Sequence, residues 1–138
     1  MSTGREKIGA FSRGDLRPPP IMTTLGMELI RVGEGVADIS MDVDSRFHNP
    51  MGTVHGGIVT DLADAAMGVA MMSTLKAGES FTTLELKMNF LRPVTKARLT
   101  AEAKVVHRGK TIGMVEMVVK NGEGKVVARG TATQLVTR

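Results

Sequence analysis

Residues 56–75, GGIVTDLADAAMGVAMMSTL, decide the fold. Ile58, Leu62, Ala65 or Ala66, Val69 and Met72 recur at helical spacing and alanine is enriched throughout, which predicts one central helix closed by Gly78. On either side the period drops to two. Upstream, Ala37, Ile39, Met41 and Val43 alternate with Asp38, Ser40 and Asp42, the pattern of a half-buried strand over residues 36–43. A further strand is expected at 24–30, beyond the turn Gly33-Glu34-Gly35. Downstream, Leu84, Leu86, Met88 and Phe90 face one way and Thr83, Glu85, Lys87 and Asn89 the other, until Arg92-Pro93 ends the strand. More strands follow at 99–105, 112–119 and 126–136. Their turns are His107-Arg108-Gly109-Lys110 and Asn121-Gly122-Glu123-Gly124. One long helix among about six strands, four of them in a meander after it, predicts an α+β fold with an antiparallel sheet wrapped around the helix. The connections are short enough for hairpins, whereas a parallel arrangement would need a helix between every pair of strands.

The chain of 138 residues is long enough for one core and too short for two. Its first twenty residues mix Gly, Ser and both charge signs and finish in Pro18-Pro19-Pro20, so residues 1–20 are expected to be an extended, mobile arm and 21–138 the folded domain. A hydrophobic fraction of 42% with 23% charged residues excludes a mostly disordered chain. The lack of cysteine excludes disulfides, thiolate metal sites and a cysteine nucleophile. Residues 63–75 fall short of the roughly 20 apolar residues a membrane span needs, and no apolar segment follows the N-terminus as in a secretory signal. A cytoplasmic protein with no membrane partner is expected. The net charge of +4 suits nucleic acid, an anionic surface or a phosphate-bearing small molecule. Four Phe with no Trp or Tyr argue against stacked bases, so no nucleic-acid partner is expected. Eleven Met point to an interior that adapts to variable apolar shapes.

Three features fall together in residues 48–64: Asn49 beside Pro50, the pair Gly56-Gly57 behind His55, and Asp64 inside the helix. The glycines either let the chain turn or leave unshielded N–H groups at the positive helix end, where they stabilise a carbonyl oxygen gaining negative charge. Asp64 lies past the first turn, so the helix dipole does not account for it. Asp61 is the better candidate for a solvated face, whereas Asp64 shares its side with Thr60, Met67 and Met71, a strip suited to an acyl group. An ordinary carboxylate, with a pKa of about 3.9, is ionised at neutral pH and fit to be nucleophile or general base. Eight helical residues separate Gly56 from Asp64 by roughly 12 Å. One carbonyl cannot touch both, so a shared thioester requires a site divided across a two-fold dimer. No Gly-x-Ser-x-Gly elbow or dinucleotide fingerprint occurs, and Gly109-Lys110-Thr111 lacks the earlier glycine of a phosphate loop. The spacing of His48, His55 and Asp64 matches no common metal site, so no metal is expected and His55 is read as ordering its loop.

The run His48-Asn49-Pro50-Met51-Gly52-Thr53-Val54-His55-Gly56-Gly57, with Leu62-Ala63-Asp64-Ala65-Ala66, Thr82-Thr83-Leu84-Glu85-Leu86 and Asn89-Phe90-Leu91-Arg92-Pro93, resembles the PaaI-like (phenylacetic-acid-degradation type) hotdog thioesterases. The resemblance covers residues 21–136. It implies an acyl-CoA thioesterase acting on an aromatic, phenylacetyl-type or a medium-chain acyl group. It implies no cofactor beyond the coenzyme A of the substrate. The N–H of Gly56 would polarise the carbonyl, Asp64 of the facing subunit would attack it or activate water, Asn49 would position the water or thioester, and Thr83 would assist near Asp64. His55 belongs to the same catalytic loop. Homodimers with shared sites, paired into homotetramers, are implied, with Arg92, Arg108 and Lys110 as candidates to hold coenzyme A phosphates. Some relatives carry Glu at the position of Asp64, which leaves direct attack and attack through water both open. Two alternatives stand beside hydrolysis: a non-catalytic acyl-CoA binding or sensing module, and a hotdog hydratase or dehydratase.

Overall fold

The computed structural model describes residues 2–14 and 17–138 of the chain. Six strands form one antiparallel sheet: β1 (Glu28–Gly33), β2 (Val36–Val43), β3 (Ser80–Phe90), β4 (Ala97–Arg108), β5 (Ile112–Lys120) and β6 (Val126–Thr137). Helix α3 (Gly56–Met72) lies across its concave face. The expected strand at 36–43 forms, as does the expected helix, which however ends at Met72 with Ser73 as its cap, short of Gly78. In β2, Ala37, Ile39, Met41 and Val43 are fully buried against Leu62, Ala63, Ala66, Met67, Ala70 and Met71 of α3. The alanines on that helix face let the sheet approach closely, and removal of this apolar surface from water is the main term holding the fold.

The strand order is β1-β2-β4-β5-β6-β3. The expected four-strand meander is therefore only partly present, because β4, β5 and β6 follow one another while β3 pairs with β6, not β4. Six residues, 91–96, carry the chain from β3 past β6 and β5 to β4. Extended, they reach about 20 Å, enough for three strand spacings of about 4.8 Å. No hairpin is needed.

The expected strand at 24–30 is displaced. Residues Pro20–Leu25 form a short helix, α2, begun by proline in its first turn and ended by Gly26 at φ +71°. The strand starts only at Glu28. The expected extended lead-in is also replaced, because Gly4–Ser12 forms helix α1. Its start is a reciprocal cap, in which the Glu6 N–H donates to Thr3 Oγ1 (3.2 Å) and the Thr3 N–H to Glu6 Oε2 (3.1 Å). Ile8 is buried, and the Gly4 N–H donates to the Leu75 carbonyl (3.1 Å), docking α1 on the end of α3. Among the described residues, no helix is long and apolar enough to cross a membrane.

Strand β3 also departs from its expected alternation. Its register with β6 shifts between Thr83 and Glu85, so Leu84 bulges outward and is 54% exposed. Phe81 and Thr83 before the bulge then point to the same face as Leu86 and Met88 after it. Thr83 faces the helix, not the polar outer side its alternation implied.

Candidate active site

The loop before α3 is stitched by its own side chains. Asn49 Oδ1 accepts from the N–H groups of Met51 (3.0 Å) and Thr53 (3.2 Å), and Asn49 Nδ2 donates to Thr53 Oγ1 (3.0 Å). Gly52 takes φ +80° inside this turn, a conformation glycine adopts without strain. His48 Nε2 donates to the Thr95 carbonyl (2.8 Å) and the Val54 N–H to the Val94 carbonyl (2.7 Å), so the 91–96 crossover lies against the loop. Asn49 is thus a loop organiser with one amide hydrogen left over.

His55 is the N-cap of α3. Its Nδ1 accepts from the Gly57 N–H (2.9 Å), which makes this nitrogen the unprotonated one, and its carbonyl accepts from Ile58 (3.0 Å). The loop-ordering role expected of His55 takes this form. Among the described residues, no acceptor meets the Gly56 N–H. That group sits at the positive end of the helix and borders a pocket of about 340 Å³ lined by Asn49, Val59, Phe90, Arg92 and Val94 among others. The Phe90 ring covers the Gly56 Cα so closely that a Cβ there would lie 3.0 Å from Cζ. Only glycine fits without moving the ring. Such an N–H, preorganised and unpaired, is suited to an oxyanion.

Asp64 is exposed on α3, one turn from Asp61. Its carboxyl pKa is raised above the ordinary carboxylate range, first by desolvation among its neighbours and then by the charge of Asp61. The apolar strip expected beside it is not there, because Met67 and Met71 turn the other way and are fully buried under the sheet. Gly56 and Asp64 lie on one continuous helix, so their separation of about 12 Å holds.

Thr83 is half-buried and accepts from Gln134 Nε2 (3.4 Å). Of the three basic candidates, Arg92 alone lines the Gly56 pocket. Arg108 is engaged inside the chain, donating to Glu79 Oε1 (2.7 Å), Thr74 Oγ1 (3.0 Å) and the Gly109 carbonyl (2.6 Å). Lys110 lies in the adjoining turn, where its carbonyl accepts from Arg138 (2.9 Å). Two residues near the site do not stand out from local sequence pattern. Phe90 reads as one more apolar residue of its strand, and its contact on Gly56 arises only in the fold. Gln134 does carry a signal, as a glutamine two residues from Ala132 and two from Val136 on a buried register.

Residues 51–128 match the family described as the thioesterase superfamily. A 1,4-dihydroxy-2-naphthoyl-CoA hydrolase of Listeria monocytogenes is 26% identical over 118 residues, covering 86% of this chain and 96% of its own. The PaaI protein of the E. coli phenylacetic acid degradation operon superposes with a TM-score of 0.87 at 27% identity, covering 99% of this chain and 97% of that one. Thioesterase HI1161 of Haemophilus influenzae gives 0.80 at 29% identity, covering 86% and 82%. With a six-stranded sheet around one long helix and a glycine N–H free at that helix's start, the chain belongs to the thioesterase superfamily and has the hotdog fold of its PaaI-like members.

Proposed function

We propose that this protein hydrolyses the thioester of an acyl-CoA, releasing a free acid and coenzyme A. The observation that carries the reading is the unpartnered Gly56 N–H, held at the positive end of α3 inside a pocket that also contains Arg92. The thioester carbonyl oxygen accepts from Gly56, and the charge it gains in the tetrahedral intermediate is stabilised there. Asp64 of the facing subunit either takes a proton from the water that attacks the carbonyl carbon or attacks that carbon itself; the C–S bond breaks to expel the coenzyme A thiolate, and in the second route water then hydrolyses the acyl–aspartyl anhydride to release the acid and restore Asp64. Asn49 offers its remaining amide hydrogen to the water or the thioester. Arg92 faces the phosphates. The division of roles rests on the roughly 12 Å between Gly56 and Asp64, which requires a homodimer with two shared sites. A pair of such dimers would make the tetramer.

An aromatic acyl group is favoured over a medium-length aliphatic one. The support is the naphthoyl-CoA named for the Listeria relative and the phenylacetic acid operon named for the E. coli one. The test is release of free coenzyme A thiol from a panel spanning phenylacetyl-CoA, benzoyl-CoA, octanoyl-CoA and acetyl-CoA. Turnover fastest on the aromatic thioesters is expected. Tight binding with no turnover of any of them would overturn the reading in favour of a binding or sensing module.

A further inference from the structure

The concave face of the sheet is apolar except at one place. Along β6, Ala128, Gly130, Ala132 and Val136 point inward, and Gln134 stands among them with no exposed surface. The other two buried polar side chains among the described residues are well paired. Ser40 shares a 2.7 Å hydrogen bond with Thr100, and Ser73 accepts from the Gly35 N–H while donating to the Ala70 carbonyl. Gln134 is not. Its Nε2 reaches Thr83 Oγ1 at 3.4 Å, and its Oε1 has no partner among the described residues. A leucine or methionine would remove an unsatisfied buried acceptor, so stability does not account for a glutamine here.

Its one partner gives a reason. Thr83 reaches the inner face only because β3 bulges at Leu84, and it pairs directly across from Gln134. Strand β3 runs antiparallel to α3, with Phe90 against Gly56 at one end and Phe81 3.6 Å from the Cβ position of Gly68 at the other. Nine strand residues from Phe81 to Phe90 run beside twelve helical ones from Gly68 to Gly56, so the two from Phe81 to Thr83 correspond to about three helical residues. Thr83 is therefore level with the turn that carries Asp64.

We propose that Gln134 is a positioning residue for this site, donating its amide hydrogen to Thr83 Oγ1 from the core side so that the Thr83 hydroxyl proton points outward to Asp64. A hydroxyl that already accepts on one side is left with its single proton to give on the other. The inference rests on the thioesterase reading above. The bulge, the threonine and the buried amide then form one device, in which an edge strand holds a donor beside the reacting carboxylate.

The experiment compares Gln134→Met with wild type, alone and combined with Thr83→Val, on the best acyl-CoA of the panel. Gln134→Met is expected to lower kcat about fivefold with little change in KM, the scale of one hydrogen bond, and to raise thermal stability. In the Thr83→Val background it is expected to change kcat no further. Independently of turnover, the Gln134 side-chain amide resonances should shift in Thr83→Val and stay in place in Asp64→Asn. Gln134→Leu repeats the measurement should the methionine variant misfold. An unchanged kcat in an active protein, an equal loss in both backgrounds, or an amide indifferent to Thr83→Val overturns the positioning role alone. A wild type inert on every thioester overturns the functional reading, and the positioning role falls with it.

Discussion

The two ends of the central helix are built to opposite rules. At the C-terminal end the polar side chains of Ser73, Thr74 and Glu79 all have partners. Ser73 bridges Ala70 and the β1–β2 turn, Thr74 Oγ1 donates to the Met71 carbonyl and accepts from Arg108, and Glu79 collects the Lys76 N–H, Arg108 and Arg138. The Glu79 side chain is only 8% exposed, and its pKa is held below the ordinary range, first by the Lys76 N–H and then by the two guanidinium groups. At the N-terminal end the loop is equally well tied, yet among the described residues the Gly56 N–H has no acceptor, and two turns further on no counter-charge stands beside Asp64. The same helix carries a latch at one end and unsatisfied groups at the other. Groups left unsatisfied inside a well-ordered scaffold are those available to a substrate, which is why function is assigned to the first half of α3.

The contrast breaks most sharply at Asp64. Asp64→Asn is expected to lower kcat about a thousandfold, the scale of losing a proton-transfer or nucleophilic group, while the fold persists. Because the folded protein raises this pKa, the ionised carboxylate opposes folding, and stability gained on protonation is lost as pH rises through the raised value. The neutral asparagine should therefore unfold at a slightly higher temperature than wild type at pH 7, by about 0.5 kcal/mol or less. A clear loss of stability would mean that Asp64 belongs to the scaffold.

Next in size is a paired experiment on two arginines. Arg108→Ala should destabilise the protein by about 2 kcal/mol, since the pair it breaks is partly shielded, and leave kcat within twofold. The loss should shrink as pH falls below the ordinary carboxylate range, because a depressed pKa contributes stability only while Glu79 is ionised. Arg92→Ala should do the reverse, raising KM for acyl-CoA several-fold but not for an acyl-pantetheine lacking the nucleotide phosphates. Denaturation curves and kinetics on the two thioesters check both halves.

The smallest effect is expected at Asp61. Its charge is the second cause of the raised Asp64 pKa, behind desolvation, so Asp61→Asn should move the acid limb of the kcat profile to lower pH by less than about one unit. A shift to higher pH would sharpen the comparison against us, by showing that Asp61 does not act on Asp64 through its charge.

The elements with uninterrupted periodicity were legible in the sequence. Strand β2 and helix α3 follow from alternation and from helical spacing, since each buries one face along its whole length. What stayed hidden depended on contacts far apart in sequence. The bulge at Leu84 inverts the face of Thr83, and nothing in residues 80–90 announces it; the register is set by β6, about fifty residues away. Met67 and Met71 fit a ligand-facing strip by spacing alone, but the sheet lies on that side. Arg108 reads as a free cation until Glu79 is placed beside it. Of the candidate site, Gly56, His55, Asn49 and Asp64 could be singled out because loop and helix are contiguous there, whereas Phe90 and Gln134 arrive by folding.

The crossover at 91–96 also sets a condition on how the chain assembles. It joins one edge of the sheet to its middle, and β2 meets β4 through pairs such as Ser40 and Thr100, sixty positions apart, with α3 already enclosed between them. Sheet closure around an absent helix would leave a void where Leu62, Ala66 and Met67 belong. Collapse and closure are then expected to occur together, with refolding on the roughly millisecond-to-second scale typical of non-local topologies, which stopped-flow refolding would check.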